Sequence, residues 1–182
     1  MNQNNSSTTE FIQAFKGWGL SIKGLFNNKK GEWWLIFQAI FIMGHLVKGW
    51  PKKENLSYSY PLSLEIIGII IFTLGSMLCI YTFISLGPNL SPLPEPKSTA
   101  QLVTSGAYQY CRHPLYLGIL LCSVAVTIYY GSLIHLFLTS ALAIILKGKA
   151  KREENNLNAA YTRYKAYCKV TPGFIPKLKI RR

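Results

Sequence analysis

The chain has 182 residues, enough for one domain, and carries 20 Lys and Arg against seven acidic residues, for a formal net charge of +13. Nearly half of it is hydrophobic, and the apolar residues gather into runs long enough for a membrane. The basic charge therefore reads as anchoring to anionic lipid headgroups. A nucleic-acid binder is excluded, since no base-reading module accompanies the charge.

Residues 1–10 are polar and lack the hydrophobic core of a cleavable signal peptide. Ser7 and Glu10 have capping-box spacing and predict a helix start. Phe11, Phe15, Trp18, Ile22 and Leu25 then recur at three- and four-residue steps. That pattern predicts an amphipathic helix lying at the headgroup level, so residues 1–32 form an N-terminal interfacial segment. Residues 33–182 form the membrane domain. Its first apolar run is Trp33–Trp50, with tryptophans at both ends as interface anchors and Lys48 able to snorkel. His45, near its end, reads as a hydrogen-bonded structural residue.

Leu64–Leu86 is the clearest span, since its 23 residues would rise about 34 Å as a helix. Gly68, Gly75 and Ser76 give it small surfaces for close helix packing. Gly87-Pro88 stops it and opens a proline-rich connection over residues 87–114, long enough to carry function. Leu115–Leu146 is apolar around Tyr129-Tyr130-Gly131-Ser132 and predicts a hairpin of two short helices. The basic tail from Lys147 has its own helical pattern to about Tyr167. The expected fold is all-α and polytopic: two spans plus a short helical hairpin, four membrane-embedded helices in all. Four crossings put both termini, the 87–114 connection and the tail on one side, and the excess of Lys and Arg there makes that side cytoplasmic. The four cysteines, Cys79, Cys111, Cys122 and Cys168, form no C-x-x-C pair and imply neither a disulfide framework nor a zinc site.

Two polar segments meet on the basic side. In the first, Pro114 suits the opening turn of a helix, which places Arg112 and His113 at its mouth, where a negative ligand group is favoured. Tyr108, Tyr110 and Tyr116 supply aromatic faces nearby, and Gly118 permits close approach. In the second, Glu153 and Glu154 follow the final apolar run. A carboxylate there could bind ribose hydroxyls or a cationic ligand, or it could simply pair with Lys149 or Lys151 on a solvated face.

The order Leu102-Val103-Thr104-Ser105-Gly106-Ala107-Tyr108, then Arg112-His113-Pro114-Leu115-Tyr116-Leu117-Gly118, then Glu153-Glu154-x-x-Leu157 with Tyr161, Tyr164, Tyr167 and a Phe174-Ile175-Pro176 ending resembles the isoprenylcysteine carboxyl methyltransferase family. That family is part of a wider group of membrane methyltransferases that includes the phospholipid methyltransferases. The resemblance covers the chain from Gly87 onward. It implies S-adenosylmethionine as cofactor, bound by residues 97–118 and 147–176. By position, Gln101, Leu102, Val103, Tyr108, His113, Pro114, Leu115, Tyr116 and Glu153 would line it. It also implies a cation facing the substrate carboxylate, at Lys149, with Arg112 and Arg163 as the other candidates. Gly173 departs from the Arg that many relatives carry before this ending.

The function expected is transfer of a methyl group to a lipophilic or prenylated substrate entering from the bilayer, with membrane lipids as partners. The acceptor could be a prenylcysteine carboxylate, a phospholipid amine or a small lipophilic thiol. A nicotinamide-dependent membrane reductase on a similar scaffold and a non-catalytic membrane protein are the readings from other classes.

Overall fold

Apolar runs become helices here wherever no breaker interrupts them, and the breakers set the ends. The computed structural model describes residues 22–51, 53, 59–95 and 100–176. In chain order the helices are α1 (Ile22–Asn27), α2 (Glu32–Gly44), α3 (Leu62–Leu86), α4 (Pro114–Tyr130), α5 (Leu133–Ala160) and α6 (Tyr164–Val170). Short 3-10 turns occupy Gly87–Asn89 and Gly106–Gln109, and no strand is found among the described residues. Pro114 fills the first position of α4, where its missing N–H removes no bond. Gly131, in the left-handed conformation at φ 56°, closes α4 and lets the chain reverse into α5.

Helices α3 and α4 make the most extensive contact, and small residues make it possible. A Cβ added at Gly75 would lie 3.0 Å from the carbonyl oxygen of Gly118, and one at Gly118 would lie 3.0 Å from that of Gly75. A Cβ at Gly68 would lie 3.0 Å from the carbonyl oxygen of Ala125. The two backbones therefore touch along a glycine seam, the packing mode that works where lipid removes the hydrophobic drive between helices. Helix α5 packs against both α2 and α4. The core between them is Tyr116, Leu142, Leu146 and Ala150, with Phe41, Ile119 and Phe174 against it.

Two helices, α3 (continuing to Asn89) and α5, are long and apolar enough to cross a membrane. Only 17% of the most apolar stretch of α3 is buried within the chain. Ile66, Ile69, Ile70, Phe72, Leu74, Met77 and Ile84 point outward, as do Leu136, Phe137 and Ile144 of α5. The core helix of a water-soluble protein would hide such residues, and a belt this size needs an apolar surrounding.

Three expectations require correction. The run Trp33–Trp50 is not a full span: α2 has 13 residues and ends at Gly44, after which the backbone turns at His45 and Leu46. The second arm of the expected short hairpin is a 28-residue helix, because nothing between Leu146 and Ala160 stops it. Gly148 is tolerated there, and the ring of Trp34 packs where its side chain would be. The tail segment Lys147–Ala160 is therefore the continuation of α5 rather than a separate helix. The expected interfacial helix falls mostly on residues outside those described, and only Ile22–Asn27 of it is seen as helix.

The alternating directions of the helices create two ends. One gathers Glu32, the end of α3, Arg112–Pro114 and the polar part of α5. The other gathers His45, Trp50, Lys53, Glu65, Tyr130 and Ser132.

Candidate active site

At the first end, Arg112 and His113 sit just before α4, and their backbone N–H groups donate to the carbonyls of Pro172 and Gly173 at 2.9 and 3.0 Å. The segment after α6 is thereby fastened under the mouth of α4. The Arg112 side chain completes the knot. Its Nε donates to Glu154 Oε1 at 3.0 Å, and Nη1 donates to the carbonyls of Cys168 and Thr171 at 3.2 and 2.9 Å. Nη2 lies 2.9 Å from the same Glu154 oxygen. Burial alone would lower the Arg112 pKa, but the hydrogen bond and charge of Glu154 outweigh it and hold it above its ordinary value.

His113 is buried, and its Nε2–H donates to Glu154 Oε1 at 2.8 Å, the carboxylate fixing which nitrogen carries the proton. Its ring stacks on Tyr116 at 5.3 Å with 1° between planes and meets Phe174 on another side. Tyr116 in turn donates its hydroxyl to Glu153 Oε2 at 2.7 Å. Helix geometry explains why adjacent glutamates have different partners: consecutive residues point about 100° apart, so Glu154 faces the Arg112 knot and Glu153 faces Tyr116. Lys149, one turn before Glu153, is buried with its ammonium 5.4 Å above the Tyr116 ring, and it donates to Gln38 Oε1 of α2 at 2.7 Å.

Two clefts flank this chain of contacts. One, about 680 Å³ including its open mouth, lies between the 86–103 segment and the tyrosines Tyr161, Tyr164 and Tyr167. The other, about 980 Å³ counted the same way, lies between α2, the end of α3 and α4, and is walled by Leu35, Ile42, Phe83, Leu86, Leu115 and Ile119. Tyr108, Arg112 and Glu153 line both, so the clefts meet at these side chains. Burial pushes the Tyr108 phenol above its ordinary pKa and the charge of Glu153 pushes it further, so it stays protonated. Tyr164 is raised by burial and then by the charge of Glu154, and its buried hydroxyl has no nitrogen or oxygen partner among the described residues.

The sequence-predicted residues divide between the clefts. Gln101, Leu102 and Val103 line the first, while His113, Leu115, Tyr116 and Lys149 line the second. Tyr108 and Glu153 line both, and Pro114 is buried beneath as the first residue of α4. Arg112 borders both clefts, but every guanidinium nitrogen is already engaged, which makes it an anchor. Glu154, expected as a ligand carboxylate or a lysine's partner on a solvated face, is instead the hub of the knot, and Gln38, the partner of Lys149, was not foreseen. Only an apolar helix interrupted by a single amide hinted at Gln38. Tyr161 and Tyr167 donate their hydroxyls to the carbonyls of Ala100 and Tyr108, each at 2.6 Å, and so tie the two walls of the first cleft together.

A family model described as phospholipid methyltransferase matches residues 64–164, more than half of the chain. The cobalt-zinc-cadmium resistance protein CzcN of Cupriavidus metallidurans is 28% identical over 160 residues, covering 87% of this chain and 68% of that protein. The nickel-cobalt-cadmium resistance protein NccN of Alcaligenes xylosoxydans xylosoxydans is 24% identical over 164 residues, covering 87% and 69%. Among the described residues no three His, Cys or carboxylate side chains gather as metal ligands.

Proposed function

This chain belongs to the phospholipid methyltransferase family, and from that premise we propose that it transfers a methyl group from S-adenosylmethionine to a lipophilic acceptor drawn from the bilayer. The observation that carries the reading is the meeting of the two clefts at Tyr108 and Glu153. One cleft mixes polar and apolar side chains and is rimmed by tyrosines, and the other is walled mostly by apolar side chains. A soluble cofactor and a lipid-borne acceptor need such a pair of entrances and a common point.

The donor set of the first cleft suits a sulfonium nucleoside. Aromatic faces at Tyr108, Tyr161, Tyr164 and Tyr167 can stack a base or lie against a cation. Glu153 uses one oxygen for Tyr116, and its other oxygen receives no hydrogen bond from the described residues, so it can accept from ribose hydroxyls or an ammonium. The Tyr164 hydroxyl is buried with the Cys168 thiol beside it and no nitrogen or oxygen partner among the described residues, so it can still take a stronger one. When bound, S-adenosylmethionine supplies an activated methyl that an acceptor lone pair takes directly, the electrons of the broken C–S bond staying on sulfur.

The work left to the protein is alignment and exclusion of water. Tyr116 holds Glu153, His113 stacks behind Tyr116, and the Arg112–Glu154 knot fixes both. Lys149, at the polar end of the apolar cleft, favours an anionic acceptor group such as a carboxylate, in keeping with the resemblance to isoprenylcysteine carboxyl methyltransferases. A carboxylate is nucleophilic at neutral pH and requires no base. The polar end faces the cytoplasm in this reading, on the positive-inside argument. The metal-resistance names of the two relatives describe those proteins; the reading for this chain rests on its clefts and its family.

The test is binding of radiolabelled S-adenosylmethionine and of NADPH to the detergent-purified protein, followed by methyl transfer to prenylcysteine analogues and lipid extracts. Binding of the first alone, with label passing to an acceptor, is the expected result. Binding of NADPH alone would favour a reductase, and binding of neither a non-catalytic role.

A further inference from the structure

The element that walls the acceptor cleft opposite α4 is α2, which lies outside the residues matched by the family model. Its cleft-lining residues Leu35, Gln38 and Ile42 follow three- and four-residue steps, so they form one face, with two aliphatic side chains flanking one amide. Gln38 is buried, and its Oε1 accepts from Lys149 Nζ at 2.7 Å across 111 positions of sequence. A lysine ammonium can only donate, so the carboxamide must face it oxygen first. That leaves the Gln38 NH2 as what the side chain can offer to the cleft. On the α2 side the polar end then presents donors, the remaining ammonium hydrogens of Lys149 and the amide hydrogens of Gln38, while the one carboxylate that also lines this cleft, Glu153, stands a turn further along α5 where the two clefts meet. A group rich in lone pairs and carrying negative charge satisfies such an end, whereas an alkylammonium meets like charge.

We infer that Gln38 is the positioning residue that sets the charge preference of the acceptor, by holding the Lys149 ammonium at the polar end of the apolar cleft and adding its own N–H groups there. This rests on the methyltransferase reading above and deepens it. Two substitutions separate its parts. Gln38→Met keeps the length and apolar contact but removes the acceptor for Lys149. Gln38→Glu keeps a partner for Lys149, neutralises its charge and removes the amide donors.

The probes are tetradecanoate and tetradecylamine, matched in chain length and opposite in charge. Their equilibrium binding to the purified protein is measured without cofactor, alongside S-adenosylmethionine binding and methyl-transfer kinetics. In the wild type tetradecanoate should bind more tightly than tetradecylamine. Gln38→Glu should reduce that preference roughly tenfold or more, the scale of a hydrogen bond to a charged group. Gln38→Met should raise the acceptor KM with a smaller change in kcat, and both variants should keep S-adenosylmethionine affinity within about twofold.

An unchanged preference in Gln38→Glu with cofactor binding intact would overturn the inference. So would loss of cofactor binding in that variant, which would make Gln38 a residue of the fold. If Gln38→Met does not fold, Gln38→Glu decides. A wild type that prefers tetradecanoate yet binds no S-adenosylmethionine would instead sink the methyltransferase reading while leaving the charge preference of the cleft standing.

Discussion

The two ends of the helix bundle hold similar chemistry in opposite condition. The end at Lys53 has an ion pair to Glu65 at 2.6 Å, with the ammonium also over the rings of Tyr60 and Tyr129 at 4.7 and 4.5 Å. It has a histidine, His45, with Nδ1 on the Phe41 carbonyl at 2.7 Å and Nε2 on Thr139 at 3.2 Å, the latter joined to Thr127 at 2.9 Å. Its charged groups are closed upon one another, with the buried Nδ1 of His135 as the atom left over, although a cleft of about 990 Å³ opens there too, beside Lys48, Pro51, Lys53 and Tyr130. The end at Glu153 also has an ion pair, a histidine and tyrosines, but there Glu153, Tyr164 and Lys149 retain hydrogen-bonding capacity beside two clefts. Ionisable residues do not by themselves mark a site in a membrane-embedded bundle. What sets the Glu153 end apart is capacity left open where two clefts share side chains.

That contrast can be broken by substitution at either end. Glu153→Ala should have the largest effect, raising the dissociation constant for S-adenosylmethionine roughly 100-fold, as expected for losing a charged acceptor in a partly buried site. The thermal unfolding midpoint in detergent should fall modestly, because the buried Tyr116 hydroxyl loses its acceptor, and a variant that binds normally would break the distinction between the ends. Arg112→Ala should destabilise the fold by about 1–3 kcal/mol, because Glu154 and the carbonyls of Cys168 and Thr171 lose their donor together. Chemical denaturation checks it, and loss of acceptor selectivity without loss of stability would make Arg112 more than an anchor. Lys149→Met should raise the KM for an anionic acceptor about tenfold while cofactor affinity stays within about twofold. Lys53→Met, at the closed end, should cost at most about 1 kcal/mol of stability, since its ion pair is partly exposed, and should leave cofactor binding and methyl transfer unchanged.

How far the sequence reveals this contrast depends on the distance between partners. Pro114, Gly131 and Gly87 punctuate the helices locally, and Gly68, Gly75 and Gly118 mark the seam, so α3, α4 and the turn into α5 could be read from residue type. Arg112-His113-Pro114 could be read as polar groups before a helix, and Glu153 as a carboxylate beyond an apolar run, although it lies within α5. The length of α5 was hidden because its composition changes from apolar to charged at Lys147 while its backbone hydrogen bonds continue. The end of α2 was hidden for the opposite reason: apolar residues run past Gly44, where the helix stops. Lys149 with Gln38, and Glu154 with both Arg112 and His113, are pairs that only packing brings together. No local pattern distinguishes Glu153, facing the clefts, from Glu154, facing the knot, until the rotation of α5 is known.

The central claim is that one S-adenosylmethionine sits where the two clefts meet. Ultraviolet cross-linking of methyl-labelled S-adenosylmethionine to the detergent-purified protein, followed by peptide mapping, tests it at the level of residues. Label on peptides containing Tyr108, Glu153 or Tyr161–Tyr167, displaced by excess unlabelled S-adenosylmethionine, is the result expected. Label confined to the Lys53–Glu65 end, or no displaceable label at all, would contradict the account.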